Sequence, residues 1–280
     1  MMLIALVAFV VALTPAAKAA VPAGTYVALG DSYTSGPLIP LYDQPLGCLR
    51  SSLLNYPHLI ATQLGLTLRD ASCAGAETDD MTGTQGVTPG PNPPQFDRLD
   101  ANTGLVTVQL GGNDIGFSGI AKDCISLSPN GHPCRDKFVV NGVDEISANI
   151  AETAPKIAAV LQGIHQRSPH ARVLVIPYIT IVPSGSPILC WPQLPIAYAD
   201  VPYLHAKQAE LNQMLATQAA ANGAEYVDVY TLSEGHDSCQ VPGLRWVEPA
   251  VPLNLAAPAH PNVLGMIGMA GAIEHAITSG

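Results

Sequence analysis

Four short segments carry residue types able to run acyl-transfer chemistry, and each lies at the edge of a recognisable element. Gly30-Asp31-Ser32-Tyr33 closes the apolar run Thr25–Leu29. Gly30 permits a sharp turn, and Ser32 on that turn, before a starting helix, is placed as an exposed nucleophile beside backbone N–H groups. The same Asp-Ser pair also suits a plain helix cap. Ser72-Cys73-Ala74-Gly75-Ala76 follows a second run, Leu66–Ala71. Gly75 has no side chain to keep a substrate away from its N–H, and is equally an ordinary turn residue. Gly111-Gly112-Asn113-Asp114 follows a third run, Leu105–Leu110. There the Asn113 amide suits an oxyanion donor, or a turn. Ala259-His260-Pro261-Asn262 precedes the last helical pattern. Of the eight histidines, His58, His165, His205 and His275 fall in helical patterns and His170 in a turn. His132 and His236 occupy polar loops and are the rivals. His260 lies in an apolar loop feeding a terminal helix, which suits an unprotonated base.

The elements that must position these residues alternate. Short, β-branched runs continue with Arg172–Ile176 and Glu225–Val229, as strands buried on both faces of a parallel sheet would. Between them, Tyr56–Leu64, Val143–Arg167, Pro202–Asn222 and Asn262–Ile277 read as helices; Ile146, Ile150, Ile157, Leu161 and Ile164 form an amphipathic stripe. Strands alternating with helices predict an α/β fold with a doubly wound parallel sheet of about five strands. Its carboxyl-end loops would build the site. Pro- and Gly-rich segments at Gly83–Pro94, Ile179–Pro195 and Val241–Pro261 read as ordered loops, and no linker splits the chain.

In order and spacing, the four segments resemble the blocks of the GDSL, or SGNH, hydrolase family across nearly the whole chain. The resemblance implies a three-layer α/β/α, flavodoxin-like fold and an ester hydrolase with Ser32 as nucleophile and His260 as base. It implies an oxyanion hole from the Ser32 and Gly75 N–H groups and the Asn113 amide, with no metal or organic cofactor. The absence of a G-x-S-x-G elbow separates the chain from α/β-hydrolases. One position departs from the family pattern: Ala257 stands where an Asp usually precedes the histidine by three residues. A Ser–His dyad oriented by the Ala257 backbone carbonyl is therefore expected, with Glu248 or Asp237 as a distant carboxylate the alternative. Tyr33, Leu38, Ile39, Leu41, Trp191 and Trp246 are candidates to line an acyl site or to pack under the loops. A carbohydrate acyl esterase of the same fold is the rival function, and a non-catalytic cell-wall-associated binding protein is another.

The 280-residue chain opens with an apolar run, Leu3–Leu13, then Pro15 and Ala17-Lys18-Ala19. This fits a signal peptide over residues 1–19, followed by one hydrolase domain over 20–280. No Lys or Arg precedes the run, and an uncleaved anchor is the alternative. Six cysteines, none in C-x-x-C spacing, suggest disulfides rather than a structural zinc site. Of the fifteen connectivities, the sequential one, Cys48–Cys73, Cys124–Cys134 and Cys190–Cys239, staples three loop-rich regions. Together these features look most like secreted actinobacterial lipases and esterases of the family. A net charge of −10 argues against nucleic acid and against electrostatic adhesion to anionic lipid. The expected partner is a small or lipid acyl ester, met by a secreted or wall-associated monomer without stable membrane insertion.

Overall fold

The computed structural model describes residues 22–185 and 187–279. The expected signal segment lies outside them. In chain order the first half holds β1 (Thr25–Gly30), α1 (Ser32–Ser35), α2 (Tyr56–Leu64), β2 (Thr67–Asp70), β3 (Thr103–Gln109), α3 (Phe117–Asp123) and α4 (Pro133–Phe138). Then come β4 (Val139–Val140), β5 (Val143–Asp144), α5 (Glu145–Arg167), β6 (Arg172–Val175), α6 (Val201–Ala221), β7 (Glu225–Tyr226), α7 (Val229–Leu232) and α8 (Val263–Ser279).

Five strands pair in the order β2-β1-β3-β6-β7, all parallel. β1 and β3 are the central strands, and all of β3 is buried. This is why their sequences are near-continuously apolar rather than alternating. α2 packs on α8, and α5 on α6, giving helical layers on either side of the sheet. The chain leaves β1 for β2 on one side and returns to β3 on the other. Strand order thus reverses between β1 and β3, and a crevice opens beyond their carboxyl ends.

The pairing of the cysteines is sequential: Cys48–Cys73, Cys124–Cys134 and Cys190–Cys239. Elsewhere the structure departs from the periodicity in three places. Val143 and Asp144 form a hairpin with Val139 and Val140, and the Asp144 carboxylate caps α5 by accepting from the Ile146 and Ser147 N–H groups. A side chain that bonds nearby backbone N–H groups ends the strand and starts the helix there. The last strand shrinks to Glu225–Tyr226 because Asp228 caps α7 in the same way, through Thr231. α3 and α4 had no legible pattern, being two turns or fewer with a disulfide between them. Among the described residues, no helix is long and apolar enough to cross a membrane.

Candidate active site

Ser32 sits where β1 turns into α1, and close packing dictates the residue before it. A Cβ on Gly30 would lie 2.2 Å from Thr34 Oγ1 and 2.8 Å from the Gln109 carbonyl. Only glycine fits between the two central strands there. Asp31 is buried. Its Oδ1 accepts from the Tyr33 N–H at 2.8 Å, capping α1, and its Oδ2 accepts from the Tyr178 hydroxyl at 2.5 Å. The Tyr178 oxygen in turn accepts from the Gly112 N–H at 2.7 Å. A Cβ on Gly112 would press to 2.9 Å against that phenol. The turn carrying Ser32 and the loop carrying Asn113 are therefore held to each other through one tyrosine. Burial pushes the Asp31 carboxyl up to about 7, against the hydrogen bonds from Tyr178 and Tyr33 that favour its charged form.

His260 Nε2 lies 2.8 Å from Ser32 Oγ, and Nδ1 lies 2.7 Å from the Pro258 carbonyl oxygen. This corrects the expectation for Ala257. The Ala257 carbonyl accepts instead from the backbone N–H of His260 at 3.2 Å. Ala259 explains the difference: its φ of +57°, uncommon for a residue with a side chain, folds the chain back and brings the Pro258 carbonyl beside the ring. Neither Glu248 nor Asp237 bonds the imidazole. The Glu248 carboxylate receives Arg245, Asn254, Asn262 and the Leu253 N–H, while Asp237 receives the Cys239 N–H and Gln240. Burial among apolar groups lowers the His260 pKa from its ordinary 6.5, and the bond to Pro258 opposes that only in part. The ring is thus neutral at pH 7. Of the rival histidines, His132 pairs with Asp136, and His236 stacks on Trp246 with ring centroids 4.5 Å apart.

Asn113 Nδ2 donates to the Ala76 carbonyl at 2.9 Å. A primary amide carries two N–H bonds, so one orients the group and the second is left for a substrate. Gly75, adjoining Ala76, is exposed in a left-handed turn with φ +79°. Asp114 reinforces the junction by accepting from Thr78 Oγ1 at 2.5 Å. The second and third motifs are therefore bonded to each other, as the first and fourth are through Ser32 and His260.

Ser32, Asn113 and His260 open on one cavity of about 450 Å³, a size usual for small-molecule sites. Its walls are mostly aliphatic and aromatic, with Ile115, Phe117, Ile120, Ile146, Ile181 and Leu204 prominent. Of the apolar loop residues proposed from sequence, only Tyr33 lines it. Ile39 is buried in the core, Leu38 and Leu41 face solvent, and Trp246 packs against α8. The true walls come from α3, α5 and α6. Sequence reasoning missed Tyr178, although it follows β6 directly, where a carboxyl-end loop is expected to serve the site.

The description of a GDSL-like lipase/acylhydrolase family matches residues 28–266. Lipase 2 of Streptomyces coelicolor is 42% identical over 259 residues, covering 90% of this chain and 85% of that protein. The crystal structure of an extracellular lipase from Streptomyces rimosus superposes with a TM-score of 0.75 at 28% identity, covering 91% of this chain and 100% of that one. That of phospholipase A1 from Streptomyces albidoflavus does so with a TM-score of 0.74 at 25% identity, covering 90% and 98%. The chain belongs to the GDSL-like lipase/acylhydrolase family and is a hydrolase of the lipase and esterase kind.

Proposed function

We propose that the protein is a secreted carboxylic ester hydrolase that works by two-step acyl transfer on a Ser32–His260 dyad. The observation that carries this reading is the line Pro258 carbonyl, His260 Nδ1, His260 Nε2, Ser32 Oγ, with contacts of 2.7 and 2.8 Å. With its Nδ1–H donated to Pro258, the neutral ring presents a lone pair on Nε2 to the serine hydroxyl. His260 takes that proton as Oγ attacks the ester carbonyl. The oxyanion rests on the Ser32 and Gly75 N–H groups and the free N–H of Asn113. His260 then protonates the leaving alcohol, and water repeats the cycle to release the acid. The acyl chain lies in the apolar cavity. That lining favours a lipid acyl chain over the polar rings of an acylated carbohydrate. Secretion is supported by the leader pattern and by three disulfides, which persist in oxidising surroundings.

The test is hydrolysis of p-nitrophenyl esters of graded chain length by the protein and three variants. Ser32→Ala and His260→Ala should each nearly abolish turnover, and Asn113→Ala should lower kcat by about 10²–10³-fold. kcat/KM should rise from acetate toward longer acyl chains. Turnover surviving in folded Ser32→Ala, or a preference for acetate alone, would overturn the reading.

A further inference from the structure

Four loops lie beside the cavity: residues 36–42, 124–131, 182–185 with 187–198, and 249–259. Backbone hydrogen bonds join them in series. Ala257 N–H donates to the Pro37 carbonyl at 3.0 Å, Ala250 to Gln193 at 3.2 Å, and Ser126 to Pro195 at 2.7 Å. Ile125, Leu194, Pro195, Ala250 and Pro258, from three of these loops, also line the cavity itself. The same loops carry large apolar side chains that no described residue covers. Leu41, Leu127, Ile188, Leu189, Leu253 and Leu255 are all exposed, Leu127 to 98%.

These four loops carry no charged side chain, and the lysines that line the cavity, Lys122 and Lys207, come from the helices α3 and α6. None of the chain's 22 Asp and Glu or 12 Lys and Arg residues falls within these four stretches, although the protein carries a net charge of −10. A surface merely left to solvent on so acidic a chain would hold some of those acids. Large apolar patches beside a site commonly mark an interaction surface.

We propose that this rim is a docking surface for the uncharged or zwitterionic face of a lipid aggregate. The inference rests on the reading that the cavity takes an acyl chain. The rim and the cavity walls are continuous, so an acyl chain drawn from a lipid layer passes from one apolar medium to another without crossing water. Charge selects the kind of surface. The acidic chain is repelled by anionic lipid, while an uncharged rim loses no ionic hydration on a zwitterionic one. Disulfides tie down two of these loops. Cys124 begins the second loop and is tied to Cys134, and Cys190 in the third is tied to Cys239. A second copy of the chain is the competing occupant, and the experiment separates it.

Co-sedimentation with phosphatidylcholine vesicles tests the proposal, using Ser32→Ala so that vesicles survive. The protein should bind, should stay bound in high salt, and should bind less when phosphatidylglycerol is mixed in. The triple variant Leu127→Ser, Leu253→Ser, Leu255→Ser, made on the Ser32→Ala background, should lose vesicle binding by about tenfold or more. The same three substitutions with Ser32 intact should leave hydrolysis of a soluble short-chain p-nitrophenyl ester at the parent rate. Vesicle binding by the triple variant equal to the parent's, or no binding by the parent, would overturn the proposal. So would a parent dimer, seen by sedimentation equilibrium, that the triple variant converts to monomer. Failure to hydrolyse the soluble ester would instead strike the catalytic reading and leave vesicle binding to decide the rim.

Discussion

Tyr33 follows Ser32 and reaches across to the base. Its hydroxyl donates to the Ala259 carbonyl at 2.5 Å, and its ring centroid lies 5.1 Å from that of His260. Ala259 is the residue whose left-handed backbone sets the Pro258 carbonyl beside the imidazole. Tyr33 therefore acts as a positioning residue between nucleophile and base. Tyr33→Phe removes one hydrogen bond and leaves an acceptor unpaired, a net effect of about 1 kcal/mol, so kcat should fall about fivefold with KM nearly unchanged. The pH profile distinguishes this from a purely structural role. In the parent, burial holds the His260 pKa below 6.5, so the acid limb of kcat/KM lies below that pH. A loosened loop admits water, relieves the burial and moves the limb upward. A lower melting temperature with an unmoved limb and unchanged kcat would refute the positioning role. Ser32, His260 and Asn113 were legible because serine, histidine and amide chemistry narrows the choice and their spacing matches a family. Pro258 was not, because a backbone carbonyl has no side-chain signature and depends on the sign of one φ angle.

At the scale of elements, the loop from Trp246 to Asn262 is organised by Glu248. Its backbone bonds His260 and Ala259, and its side chain gathers Arg245, Asn254, Asn262 and the Leu253 N–H. Glu248 and Arg245 are both buried. Burial pushes the Glu248 carboxyl up, but the bonds from Asn254, Asn262 and Arg245 outweigh it and hold the group at about 2, against an ordinary 4.5. A carboxyl lowered on folding stabilises the folded state above its unfolded pKa. That stability is lost as pH falls from about 4.5 toward 2. Glu248→Gln should flatten this acid loss and, at neutral pH, strand Arg245 without its counter-charge at a cost of about 3–5 kcal/mol. Urea titrations at pH 7 and pH 4 check both. Cold-assayed kcat should survive, since Glu248 does not touch the imidazole; its collapse in a folded variant would show a carboxylate dependence the geometry lacks. The strands and four long helices were legible because burial on both faces or along one stripe leaves a periodic trace. α3, which walls the cavity, and α4, which holds Cys134 of the rim disulfide, were not, since a helix of two turns barely repeats its pattern.

Over the whole molecule, one design problem recurs: the site is built from loops, and the loops expose apolar side chains. A sheet and two helical layers fix the strand ends, but the rim lies outside their packing. Covalent ties take over there. Cys190–Cys239 closes a sequence separation of 49 residues and Cys124–Cys134 one of 10. If each acts by restricting the unfolded chain, they contribute about 4 and 3 kcal/mol respectively. The Cys190–Cys239 pair also has a small apolar cluster of its own, with Val182, Leu194, Ile196 and Val201 packed around the sulfurs. That cluster meets the main core through the partly buried Ile181 and Leu204, so the disulfide reinforces a thin packing contact between the third rim loop and the body. Replacing both members of Cys190–Cys239 by alanine should therefore lower the urea midpoint more than the same change at Cys124–Cys134, by about 1 kcal/mol or more in stability. It should also weaken hydrolysis of long-chain esters more than of acetate, because Leu194 and Ile196 help form the cavity wall. The Cys124–Cys134 variant should lose less on both counts, since α3 enters the main core through Ile120 and stays anchored without it. Equal losses in the two variants would mean that neither chain entropy nor a special coupling of the third loop sets the contribution of these bridges, and that the loop is held by packing.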